Sequence, residues 1–98
     1  MSNLENIIKS DKPVLAEFWA PWCTYCRRIG PVMEQLKKQR EDIEIVMVNI
    51  DDEPQLAEKY KIELIPTLLV FSAGEYGEPL VAPSSKAQIE EFISSQLQ

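Results

Sequence analysis

The tightest constraint on the fold is a six-residue run, Val14-Leu15-Ala16-Glu17-Phe18-Trp19, closed by Pro13 before it and by Ala20-Pro21 after it. It is apolar apart from Glu17, which suits a strand covered on both faces inside a parallel sheet. Such a strand needs helices on both sides, so the run points to the α/β class.

The neighbouring segments supply those helices. Ser2 and Glu5 match a capping box, and Leu4, Ile7 and Ile8 follow at helical spacing, which predicts a short helix from about Asn3 to Lys9. From Cys23 to about Arg40, Ile29, Val32, Met33 and Leu36 recur every three or four residues among charged positions, giving an amphipathic helix. Gly30-Pro31 interrupts that pattern and predicts a kink rather than an end. The β-branched stretch from Ile43 to Ile50 reads as a second buried strand.

Asp52 with Gln55 marks the next helix start, with Pro54 in its first turn. Thr67 to Phe71 and a run around Pro79 to Ala82 read as an antiparallel hairpin turning through Ser72-Ala73-Gly74-Glu75. Ser85 and Gln88 cap a last helix with Ala87, Ile89, Phe92, Ile93 and Leu97 on its apolar stripe. The expected architecture over residues 1–98 is one α/β domain. Its central mixed four-stranded sheet, a parallel βαβ half plus an antiparallel hairpin, is flanked by helices.

Composition removes several kinds of chemistry. The 98 residues include no histidine and two cysteines, which excludes Ser-His-Asp and Cys-His catalysis and imidazole-ligated metal sites. The net charge of −6 lies entirely after Asn49, where three basic residues face nine acidic ones. A nucleic-acid partner, which selects basic faces, is not expected. No signal-peptide pattern opens the chain and no stretch approaches the length of a membrane span, so a soluble cytoplasmic protein is expected. In a reducing compartment the cysteines are reactive rather than structural.

Both cysteines lie in Trp22-Cys23-Thr24-Tyr25-Cys26, where the first strand ends and the long helix begins. Ligands bind at the carboxyl ends of strands in open α/β sheets, and the first turn of a helix offers free N–H groups and partial positive charge. Both favour a thiolate on Cys23. Cys26, one turn along, is close enough to bond to it. A zinc half-site and an inert structural pair are the alternatives to a dithiol redox pair, but a structural zinc site takes about four Cys or His ligands. This chain has no Cys or His beyond these two.

Phe18-Trp19-Ala20-Pro21-Trp22-Cys23, Pro31, Val48-Asn49-Ile50-Asp51, Ile65-Pro66-Thr67-Leu68 and the Gly74 turn together resemble the thioredoxin family, from about Val14 to the end. The resemblance implies the thioredoxin fold and thiol–disulfide exchange with no cofactor beyond a redox-active Cys23–Cys26 disulfide. Disulfide-containing proteins are the implied substrates, a thioredoxin reductase or another donor returns the electrons, and a monomer is expected. By the same resemblance, Glu17 stands at the position of a buried acid beneath the site, able to serve Cys26 as a base. Ile65-Pro66 corresponds to a cis-proline segment whose backbone pairs with substrate. Trp22 is expected as a platform beside Cys23, and Ala82 at the substrate-facing rim.

Four features depart from the family pattern. Thr24-Tyr25 replaces Gly-Pro between the cysteines, Met47 replaces a lysine that pairs with the buried acid, and Ala82 replaces a glycine and narrows the groove by a methyl group. The chain also starts about ten residues late by the family pattern, which predicts that the usual first strand is missing. Competing readings are a glutaredoxin-type enzyme using glutathione, a non-redox binding module built on the Ile65-Pro66 groove, and a cluster shared through Cys23 between two copies. Asp51-Asp52-Glu53 reads as a solvated turn and helix cap rather than a cation site.

Overall fold

The structure is a computed structural model that describes residues 4–98. Strand β1 (Val14–Trp19) occupies the predicted span and runs through the middle of the sheet. β2 (Glu44–Asn49) pairs with it in parallel, with Val14 opposite Glu44 and Trp19 opposite Asn49. β3 (Thr67–Ser72) pairs antiparallel on the other side, with Glu17 opposite Leu68. Among the described residues no strand precedes β1.

The parallel pair is joined by α2 (Thr24–Gln39), which stays one helix through Pro31. Proline removes only one ladder bond, and the buried stripe of Cys26, Ile29, Met33 and Leu36 holds both sides of it against the sheet. α1 (Leu4–Ile7) precedes β1, and its predicted cap at Ser2 lies outside the described residues.

Two local expectations are corrected. The helix after β2, α3 (Pro54–Lys59), begins from Glu53 rather than from Asp52. Asn49 organises the approach: its side-chain oxygen accepts the Asp51 N–H at 2.9 Å and its carbonyl accepts the N–H groups of Asp52 and Glu53. This Asx turn uses up Asp52 inside the turn, and Pro54 takes the first helical position. Glu53 is also buried, not solvated.

The hairpin strand is the second correction. The turn at Ala73-Gly74, both at positive φ, leads first into β4 (Glu75–Tyr76), and β5 (Leu80–Val81) follows after a break. Both pair antiparallel with β3, so two short segments share the fourth position of the sheet. Pro79 has no N–H for a ladder and Gly77 weakens a strand, which places the interruption between them. α4 (Lys86–Gln96) starts where predicted, with Ser85 accepting the Gln88 N–H at 3.1 Å.

The period of two along the strands divides the core. Leu15, Ile45, Leu68 and Val70 face α2 and α4, where Met33, Leu36, Ile89 and Ile93 meet them. Val14, Ala16, Phe18, Val48, Leu69 and Phe71 face the other way, toward Leu4, Leu56 and Tyr60. Glu17 alternates with Ala16 and Phe18, which places it on the α2 and α4 face between Met47 and Leu68.

Candidate active site

The carboxyl end of β1 carries the chain directly into the dithiol. Cys23 is the N-cap of α2, in extended backbone (φ −88°, ψ 108°), and its sulfur accepts the Cys26 N–H at 3.2 Å. Cys26 is the first buried residue of the helix stripe. The two are joined as a disulfide, with their Cα atoms 5.3 Å apart. Cys23 is 9% exposed and Cys26 3%, so the first cysteine is the less deeply covered of the two. Ala20, Trp19, Ile50 and Ile65 pack around them in a small apolar cluster.

Ile65-Pro66 is a cis peptide and brings the loop before β3 against the dithiol, with the Ile65 carbonyl oxygen 4.0 Å from the Cys23 sulfur. The Pro66 carbonyl accepts the Ala82 N–H at 2.8 Å, tying in the turn after β5. Ala82 is exposed and adopts φ +47°, the left-handed region in which a glycine is unstrained. Trp22 is 66% exposed beside Cys23, and its indole N–H donates to the Asp51 carboxylate at 3.2 Å. Trp19 is part of the packing instead.

Glu17 is fully buried, and neither carboxylate oxygen has a hydrogen-bond partner among the described residues. Its register neighbours Met47 and Leu68 are apolar. Burial penalises the carboxylate and pushes the Glu17 pKa up to about 7. The apolar Met47 opposite it supplies no charge to offset that effect.

The structure therefore gathers Cys23, Cys26, Trp22, Ile65, Pro66 and Ala82 at one end of the sheet, with Glu17 inside it on the α2 face. Two contacts of this region had no signal in the sequence. Asp51 meets Trp22 across 29 positions. The Tyr25 hydroxyl reaches the carbonyls of Ala82 and Pro83, at 3.3 and 3.0 Å. Among the described residues no group of three or more Cys, His, Asp or Glu gathers as a metal site. No helix there is long and apolar enough to cross a membrane.

A two-cysteine disulfide at the N-terminus of a helix, fed by the central strand of an α/β sheet, defines a thiol–disulfide oxidoreductase. The comparisons name the group more closely. The thioredoxin family model matches residues 1–95. The chain is 42% identical over 93 residues to a thioredoxin of Acidithiobacillus ferridurans, covering 94% of this chain and 86% of that one. It is 44% identical over 84 residues to a thioredoxin of Streptomyces clavuligerus, covering 86% and 78%. The solved structure of a mutant thioredoxin from Halobacterium salinarum NRC-1 superposes with a TM-score of 0.87 at 30% identity, covering 97% of this chain and 83% of that one. The chain belongs to the thioredoxin family.

Proposed function

We propose that this oxidoreductase reduces disulfides in protein substrates, with Cys23 as the attacking thiolate and Cys26 as the resolving thiol. The observation that carries the assignment is the Cys23 sulfur at the N-cap, accepting a backbone N–H of the first turn. That bond and the helix dipole favour negative charge on this sulfur, while Cys26 lies deeper, 3% exposed against 9% for Cys23.

In the reduced enzyme, the Cys23 thiolate attacks one sulfur of the substrate disulfide. A Cys23–substrate disulfide forms, and the other substrate sulfur leaves as a thiolate and takes a proton. Cys26 loses its proton and attacks the Cys23 sulfur, expelling the second substrate thiolate. Two electrons have passed to the substrate, and the enzyme keeps the Cys23–Cys26 disulfide. A reductase or another dithiol donor then returns two electrons and one proton, which restores the Cys23 thiolate and the Cys26 thiol.

Glu17 is the proton acceptor for Cys26 in this scheme. It lies on the sheet face against which α2 packs its Cys26 stripe, and its pKa near 7 matches a group that takes and gives a proton near neutral pH. Trp22, Ile65, Pro66 and Ala82 form the substrate-facing surface, in which the Ile65 backbone pairs with an extended segment by strand addition. The protein works as one domain and a monomer in the cytoplasm, where a reductant is at hand.

Insulin reduction with dithiothreitol tests the reading. The wild type is expected to accelerate it and Cys23→Ser to abolish the acceleration; a wild type no faster than dithiothreitol alone would overturn it. Turnover of glutathionylated substrates at a higher rate than insulin would move the protein to glutaredoxin-type chemistry.

A further inference from the structure

The residue between the cysteines that touches the opposite wall of the site is Tyr25. Its single O–H donates to two carbonyls of the turn after β5, those of Pro83 at 3.0 Å and Ala82 at 3.3 Å. The same turn is held from the other side, where Ala82 donates its N–H to Pro66 at 2.8 Å. A continuous circuit results: Cys23 beside Ile65, Pro66 bonded to Ala82, and Ala82 bonded through Tyr25 back to the dithiol helix. Tyr25 stays 37% exposed, so it stands at the rim rather than in the core.

We propose that Tyr25 is a specificity-determining residue, a hydrogen-bonded strut that closes one end of the substrate groove beside Cys23. The assignment rests on the reading of this site as a protein-disulfide reductase. An extended substrate segment gains affinity from free backbone groups on the rim. Tyr25 occupies two rim carbonyls, and the Ala82 methyl narrows the same end. A small disulfide needs only to approach the Cys23 sulfur, whereas a polypeptide must lie along the groove. The protein is thus selective against substrates that approach over the Ala82-Pro83 turn.

Tyr25→Phe keeps the ring and removes the donor. With insulin as the protein substrate, KM is expected to fall about three- to tenfold, the range of one or two exchanged hydrogen bonds, with kcat unchanged. With the small aromatic disulfide 5,5′-dithiobis(2-nitrobenzoate), the rate is expected to stay at the wild-type value. The carbonyl ¹³C shifts of Ala82 and Pro83 report the loss of the bonds independently of turnover. Equal changes for both substrates would show that Tyr25 acts on Cys23 reactivity and overturn the strut. An unchanged insulin KM, or a raised one, or unmoved carbonyl shifts would overturn it as well. No turnover of either substrate by the wild type would instead remove the reductase reading, and the assignment with it.

Discussion

Glu17 shows most directly how burial becomes chemistry. A carboxylate with no partner among apolar neighbours prefers its proton, so the folded protein binds that proton more tightly than the unfolded chain does. Because the folded pKa is raised from 4.5 to about 7, stability is full below the lower value and falls as pH rises through the upper one. The loss is up to about 3 kcal/mol. Urea unfolding of the oxidised protein at pH 5, 6, 7 and 8 is expected to show that decline, and Glu17→Gln to flatten it. A wild-type profile that rises from pH 5 to 8 would contradict the burial argument. In single-turnover experiments, Glu17→Gln is expected to slow resolution of the mixed disulfide on the order of 100-fold, the lower end of acid–base contributions. An unchanged rate across about pH 6–9, the span around the shifted group, would remove Glu17 from the proton path.

The elements are held by their ends as much as by their faces. α3 finishes in a Schellman motif, with the Ile62 N–H on the Ala57 carbonyl at 2.8 Å and the Lys61 N–H on Glu58 at 3.2 Å. The motif requires a left-handed residue, and here it is Lys61 at φ +57°. A side chain costs about 1–2 kcal/mol in that region, so Lys61→Gly is expected to raise stability by roughly 1 kcal/mol. A thermal midpoint at or below the wild-type value would show that the lysine stem compensates the strain. The N-cap of α4 works in the opposite direction: Ser85 was recognisable in the sequence because its oxygen needs only the Gln88 N–H three positions on. The start of α3 was not, because the Asx turn at Asn49 competes with Asp52 for the same backbone groups.

In the assembled molecule, β1 and β3 send alternate side chains into both core clusters, so neither side of the sheet can unfold while the other stays packed. Leu36→Ala and Leu56→Ala, one from each cluster, are each expected to cost about 2–5 kcal/mol. Both variants should retain one transition seen alike by far-UV circular dichroism and tryptophan fluorescence. Separate midpoints for the two probes in either variant would break this coupling. The ion pairs Arg40–Asp42 and Lys59–Glu5 are exposed and add little to that stability. What the amino-acid order determined by itself was local or periodic: the span of β1, the amphipathic stripe of α2, the Ser85 cap, and the placing of Cys23 at a strand end where a helix begins. Those features depend on neighbours within a few positions and on burial patterns that repeat. The tertiary structure alone decided that Asp51 holds Trp22 and that Tyr25 meets Ala82 and Pro83 across 57 and 58 positions. It also decided that the edge strand divides in two. Each of these depends on how loops distant in sequence close over the end and edge of one sheet, and no residue spacing encodes that closure.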